Sequence, residues 1–155
     1  MHDIVDDKII DDFKNGYLLI FRLEVTDYHR YCFIDEGIRS SYQYIKGKLN
    51  TVQPISYNRG KVFHENAREW CLLKTKNFGD ILEVEVGALL VGKIVNNEKV
   101  KFKKGEEKGY FEFGGSTILL FVRDNVLFDK DIIKNSNDGN ETIVKYGERI
   151  GILNE

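Results

Sequence analysis

Proline and cysteine are almost missing from this chain: Pro54 stands alone, and Cys32 and Cys71 are the only thiols. Two cysteines in no metal-ligand spacing support neither a zinc site nor a disulfide framework, and point to a reducing compartment. Long apolar runs are missing too. Ile118-Leu-Leu-Phe-Val122 is closed off by Thr117 and Arg123, far short of the roughly 20 residues that cross a bilayer as a helix. The start, Met1-His-Asp-Ile-Val-Asp-Asp, has neither the basic stretch nor the apolar stretch of a secretory signal. There is no excess of positive charge; the net charge of −2 gives no general attraction to nucleic acid or anionic lipid and leaves only local basic clusters to provide one.

The 155 residues, 42% of them hydrophobic, are enough to bury about two thirds of the unfolded surface around one core, so residues 1–155 read as a single globular domain. Ile4, Val5, Ile9, Ile10 and Phe13, followed by Gly16, predict one short amphipathic helix. The period then changes to two. Leu19, Phe21, Leu23 and Val25 share one face of a strand, and Leu82, Val84 and Val86 alternate with Glu83 and Glu85 as in a half-buried strand. Ile38–Ile45, Trp70–Thr75, Ala88–Val95, Lys99–Lys103, Tyr110–Phe113, Thr117–Val122 and Glu148–Leu153 complete the expected strands. Tyr42 and Tyr44 fall on one face, and a helical turn is expected over Asp129–Asn135. Gln53–Glu69 reads as a long loop, with His64 and Phe63 in it and Trp70 just after it. The expected class is mainly β, an antiparallel barrel-like or two-sheet architecture with one or two short helices.

One short segment combines backbone freedom with a nucleophile. Gly114-Gly115-Ser116-Thr117 joins two apolar strands and leads a small, pliant backbone straight into a hydroxyl. Taken alone, it is most simply a turn or bulge, and nothing around it matches the Gly-x-Ser-x-Gly elbow of hydrolases.

Three blocks give it context. They are Asp27-Tyr28-His29-Arg30; Gly47-Lys-Leu-Asn-Thr-Val-Gln-Pro54 with Glu65-Asn-Ala-Arg-Glu69 and Val86-Gly-Ala-Leu-Leu-Val-Gly92; and Lys104-Gly-Glu-Glu-Lys-Gly-Tyr-Phe-Glu-Phe-Gly-Gly-Ser-Thr-Ile118. In order and spacing these resemble the phosphatidylserine decarboxylases, in the bacterial branch that carries Gly-Gly-Ser-Thr. The likeness runs from about Tyr17 to Gly151.

The resemblance implies self-processing. Ser116 attacks the Gly115 carbonyl, the cut falls between Gly115 and Ser116, and Ser116 becomes a pyruvoyl group. Residues 1–115 become a β chain and residues 116–155 an α chain. The cofactor is thus made from the protein itself, and its ketone forms a Schiff base with the amine of phosphatidylserine and accepts the electrons released with carbon dioxide. His29 is the implied proton donor, since imidazoles exchange protons near neutral pH. The other implied partner is a membrane surface, at the cytoplasmic face of the cell membrane, contacted peripherally. No metal and no nucleic acid are implied.

Two departures from the family pattern stand out. Many members carry a second histidine three residues after the first, the usual base for self-cleavage, where this chain has Cys32, a residue type that is mostly protonated at neutral pH. Cys32 therefore joins His29 and Ser116 as a candidate catalytic residue, beside the plain reading of a small side chain in a strand. The family's upstream half, with its membrane-associating helices and the aspartate that orients the histidine, is not represented, so a separate upstream piece or a homo-oligomer is a candidate partner, and Asp27 does not simply replace that aspartate. The alternatives are an unprocessed, non-catalytic module of the same fold that binds lipid or protein, and a pyruvoyl enzyme for another amino acid derivative.

Overall fold

The computed structural model describes residues 5, 7–48, 50, 65–88, 93–112, 114 and 116–154. Its strands are β1 (Tyr17–Leu23), β2 (Arg30–Cys32), β3 (Gly37–Arg39), β4 (Gln43–Ile45), β5 (Arg68–Thr75), β6 (Gly79–Val86), β7 (Lys93–Asn96), β8 (Lys101–Phe102), β9 (Glu107–Glu112), β10 (Ser116–Val122), β11 (Val126–Phe128) and β12 (Gly151–Leu153). The helices are α1 (Asp7–Asp11) and α2 (Lys130–Asn137). The expected mainly β, antiparallel class holds, and all pairings between these strands are antiparallel. Among the described residues the barrel alternative does not hold: the seven-stranded sheet is open, in the order β1-β10-β6-β5-β3-β8 with β4 beside β5. A three-stranded sheet, β2-β9-β7, and the pair β11-β12 complete it.

Register decides what each face of the main sheet carries, because directly paired residues point the same way and neighbours along a strand point oppositely. Ile118, Leu120 and Val122 of β10 lie on one face with Cys71, Leu73 and Ile81. There they pack with Tyr31, Phe33, Phe102 and Phe111 in the larger core. Leu119 and Phe121 take the other face with Leu82, Val84 and Val86, covered by Ile10 and Phe13 from the segment around α1. β10 is therefore buried along its whole length and carries no charged residue.

Several expectations are corrected. Val25 lies past the end of β1 and is 65% exposed, so the inward row of β1 stops at Leu23. The expected strand Ile38–Ile45 is broken into β3 and β4, because Ser40 leaves the ladder to bond Leu72 through both its backbone and its hydroxyl. That break separates the tyrosines: Tyr42 turns inward and Tyr44 is 62% exposed. Glu83 and Glu85, expected on a solvated face, are both buried, because the three-stranded sheet covers that side of β6. His2, residues 51–64 of the long loop including His64 and Phe63, and residues 89–92 of the expected strand Ala88–Val95 lie outside the described residues.

Gly109 in β9 has no room for a side chain. A Cβ there would stand 2.3 Å from the Val95 carbonyl oxygen and 2.7 Å from the Tyr31 hydroxyl. Gly109→Ala must push β7 away from β9, and we expect a loss of about 1–3 kcal/mol, read as a lower urea midpoint with an unchanged slope.

Candidate functional site

Ser116 opens β10, directly opposite Leu23 of β1. The chain reaches it through Gly114, whose φ of 93° lies in the left-handed region that favours glycine. Gly115 and Phe113 lie outside the described residues. The hydroxyls of Ser116 and Thr117 are both fully buried, and neither has a hydrogen-bond partner among the described residues. Leaving a buried hydroxyl unpaired costs about 1–3 kcal/mol. Two in succession, where a glycine turn delivers the chain into the sheet, mark the spot as one not optimised for stability alone.

His29 sits just before β2, where its carbonyl accepts from the Phe111 backbone N–H at 3.0 Å, tying it to the strand that runs into the Gly114 turn. Its Nδ1 lies 2.7 Å from the Asp27 carbonyl oxygen. A carbonyl only accepts, so Nδ1 carries the proton and, in the neutral ring, Nε2 keeps its lone pair. Nε2 is buried and has no partner among the described residues. Asp27 thus orients the ring with its main chain. Its carboxylate is used elsewhere, accepting from the Glu24 backbone N–H at 2.7 Å to close a turn.

Cys32 points the other way. Tyr31 faces the core, and Cys32, next along β2, faces the chain's C-terminal segment, where its thiol beside Tyr146 lifts the Tyr146 phenol above its ordinary range. Tyr146 also packs edge-on against Tyr28, with ring centroids 5.2 Å apart.

Asn66 explains why the middle motif is spaced as it is. Its amide donates to the carbonyls of Asn50 at 2.9 Å and Gly87 at 2.7 Å, and accepts from the Asn50 backbone N–H at 2.9 Å. One fully buried side chain therefore fastens three segments far apart in sequence. Gly87 follows Val86, the residue paired with Thr117, so the clamp sits at the end of the ladder that holds the Ser116 strand.

A charged group missed in the sequence reading lies on the same face as Ser116. Tyr31 pairs with Gly109 and Cys32 with Glu107, so Lys108 is skipped as a bulge and turned inward. It is fully buried, contacts Glu85 directly and stands 3.6 Å from Glu83. Asn96 links the group outward, donating to Glu69 at 2.6 Å and Glu85 at 3.2 Å while accepting from Tyr31 at 3.1 Å. Burial alone would lower the Lys108 pKa, but Glu83 and Glu85 outweigh it and hold the ammonium above the ordinary lysine range. Burial pushes Glu83 up to about 8 against the pull of Lys108, with Glu85 adding to the rise. Ile118 pairs with Glu85, so Ser116, two residues earlier, is Glu85's diagonal neighbour on that face. A regular period gave no sign of Lys108: counting by two from it leads to Tyr110 and Glu112, and only the bulge brings the lysine onto the inward face with Phe111.

A serine placed by a glycine turn at the mouth of a buried strand, with a tautomer-fixed histidine on the strand pair leading into it, defines a candidate site for chemistry on the chain's own backbone. The sequence model of the family described as phosphatidylserine decarboxylase matches residues 1–152, and the chain belongs to that family. It is 55% identical over 151 residues to phosphatidylserine decarboxylase proenzyme 2 of Clostridium acetobutylicum, covering 97% of this chain and 52% of that protein. It is 50% identical to the proenzyme of Clostridium tetani, over 94% of this chain and 50% of the other. To that of Desulfitobacterium hafniense it is 44% identical, over 96% and 51%. The chain spans about half the length of the curated relatives it matches.

Removing the cation should expose the cost of the buried group. Lys108→Met strands Glu85 without its partner and is expected to cost about 3–5 kcal/mol, much of it recovered when Glu85→Leu is added; urea unfolding of the single and double variants measures both. Glu83 binds its proton more tightly folded than unfolded, so its contribution to stability is full below pH 4.5 and declines as pH rises to about 8. Glu83→Gln should flatten that decline.

Proposed function

We propose that this chain is the self-processing catalytic portion of a phosphatidylserine decarboxylase, with residues 1–155 as one domain, Ser116 as the pyruvoyl precursor and His29 as the group that moves protons. The observation that carries the reading is the pair of buried, unpartnered atoms, Ser116 Oγ and His29 Nε2, at the two ends of the β9–β10 passage in a chain of this family. Cys32, engaged by Tyr146 on the outer side of β2, is the less suited base.

The cut balances without an outside reagent other than water. Ser116 Oγ, losing its proton to His29 Nε2, bonds to the Gly115 carbonyl carbon; the peptide C–N bond breaks and the nitrogen takes up a proton, leaving an ester. Loss of the Ser116 Cα proton then breaks the Cβ–O bond and releases Gly115 as a carboxylate. The resulting dehydroalanine takes up one water and releases one ammonia, giving the pyruvoyl group. Unpaired hydroxyls and a glycine at positive φ fit a residue that must be consumed, since no side-chain bond is lost when Oγ leaves. When present, that group supplies a carbonyl for the substrate amine and a sink for the electron pair left by carbon dioxide. His29, protonated at Nε2, would return a proton to the former α-carbon, and one water would then restore the carbonyl and release phosphatidylethanolamine. The substrate being a lipid, the chain works at a membrane surface, peripherally at the cytoplasmic face; among the described residues no helix is long and apolar enough to cross a membrane.

The cut also leaves the sheet intact. β10 keeps β1 on one side and β6 on the other, and Arg22 in β1 grips Glu141 of the downstream part with two bonds of 2.8 and 2.6 Å. The new chain end stays where it was made.

Intact mass spectrometry tests the reading. Two chains meeting at Gly115/Ser116 are expected, the smaller lighter by one ammonia than its serine-started equivalent, and both are expected to elute together in gel filtration. Ser116→Ala should stay whole; a cut persisting at that bond overturns the nucleophile. His29→Ala should slow processing at least about 100-fold, whereas Cys32→Ala should process normally. The reverse pattern would make Cys32 the base.

A further inference from the structure

The far edge of the main sheet carries a basic groove that the reaction does not use. Lys74 of β5 pairs with Ile38 of β3, and Ile38 pairs with Lys101 of β8, so the three side chains stand in one row across three strands on the same face. Alternation along Lys99-Val100-Lys101-Phe102-Lys103 buries Phe102, stacked on Phe33 with centroids 4.0 Å apart, and turns Lys101 outward beside Ile38. Lys76, Lys99 and Lys103 join them around an open groove of about 780 Å³, in which five lysines face only Glu36 and Glu106. Those two carboxylates are engaged by Lys76 and Lys99, which leaves Lys74, Lys101 and Lys103 with no ion-pair partner among the described residues. One apolar side chain stands among the cations: Ile38 is 45% exposed.

This concentration contrasts with the chain's net charge of −2. Lysines on an edge strand commonly prevent edge-to-edge pairing. That accounts for Lys101 but not for Lys74, which lies on an interior strand, nor for Lys76 in the following turn. Lys74 and Lys101 flank Ile38 instead of facing each other, and Asp80 stands opposite Lys74, so what the groove presents is its excess of lysines over carboxylates, a local positive field that attracts an anionic surface. The backbone that presents Lys99 and Val100 is also held in place. The buried Arg39 donates to the carbonyls of Lys99 at 2.8 Å and Glu98 at 2.7 Å, its backbone N–H bonds the Val100 carbonyl at 3.0 Å, and its guanidinium stacks on Tyr42 at 4.0 Å.

We propose that this edge docks the chain on an anionic phospholipid bilayer, with Lys74, Lys101 and Lys103 against the headgroup phosphates and Ile38 reaching the interface. The choice of a bilayer over another polyanion rests on the lipid reading of the site and on the exposed Ile38, which a nucleic acid backbone would leave unused.

Cosedimentation tests it, using the full chain with vesicles of equal parts phosphatidylglycerol and phosphatidylcholine and with vesicles of phosphatidylcholine alone. Binding is expected only to the mixed vesicles and should weaken with added salt. Lys74→Gln, Lys101→Gln and Lys103→Gln together should lower partitioning about 100-fold, and Ile38→Ala should lower it further, while cutting at Gly115–Ser116 and turnover of a short-chain phosphatidylserine held below its micelle concentration stay as in the parent. Equal binding by the triple variant, equal binding to both vesicle types, or tighter binding to single-stranded RNA than to mixed vesicles overturns the docking surface. Binding to mixed vesicles without turnover of the short-chain lipid upholds the surface and refutes the decarboxylase reading; turnover without vesicle binding does the opposite.

Discussion

An ammonium group placed between two sheets sets the terms for much of this fold. Lys108 is fully buried, and taking such a charge out of water costs several kcal/mol unless a partner of opposite charge is held against it. Glu85 and Glu83 are that partner, both on β6. For the pair to meet, β9 must bulge, so that Lys108 turns inward while Glu107 stays outside with Arg30. A slip of one residue would trade Lys108 for Glu107 and bring a third carboxylate to the first two. The pairing therefore fixes the register of β9 over β6, and with it where the chain turns at Gly114 and where β10 begins. Stability at this point is spent on specificity: an apolar pair of the same volume would serve the core as well, but would not distinguish one register from the next.

The same geometry lets a chain break in the middle of a core without the core coming apart. β10 lies between β1 and β6, buried on both faces, and its hold is made of ladder bonds and apolar contacts on the sides, not of the link at its leading end. Its first two residues, Ser116 and Thr117, have unpaired hydroxyls, and its later residues, Leu119 to Val122, are packed in both cores. The polar atoms left without side-chain bonds thus gather at the leading end of the strand, and the apolar packing that fixes it lies behind them.

Much of this was legible in the sequence, and the limit is a physical one. Period-two alternation placed β1 and β6, because a strand with one buried face has to alternate, and segments bounded by glycine- or asparagine-containing turns placed β5, β9 and β10 to within a few residues. The Gly114–Ser116 step, alone no more than a turn or bulge, stood out through the three blocks that resemble the family. Alternation does not say whether the second face is covered. Glu83 and Glu85 looked solvated because carboxylates usually are; the sheet that covers them is built from β2, β7 and β9, two of which are distant from β6 in sequence, and the cation that neutralises them enters through a bulge that a regular period hides. For the same reason His29 was found by its motif, but the carbonyl that orients it was not: the expected partner was a carboxylate, and a main-chain oxygen two residues back has no sequence signature.

The lysines show how far context outweighs residue type. Lys101 and Lys108 lie seven residues apart on strands at opposite sides of the larger core, Lys101 between Val100 and Phe102 and Lys108 between Glu107 and Gly109. Lys101 pairs across to Ile38 and so takes the outward face with Lys74, whereas the bulge at Lys108 sends it inward to Glu85. One cation is neutralised within the fold and rigidifies it; the other is left unneutralised at the surface. The two lysines divide the molecule's electrostatics into a closed part, complete in itself around the Ser116 face, and an open part at the sheet edge, where Lys101 and Lys103 have no ion-pair partner among the described residues and Asp80 stands opposite Lys74.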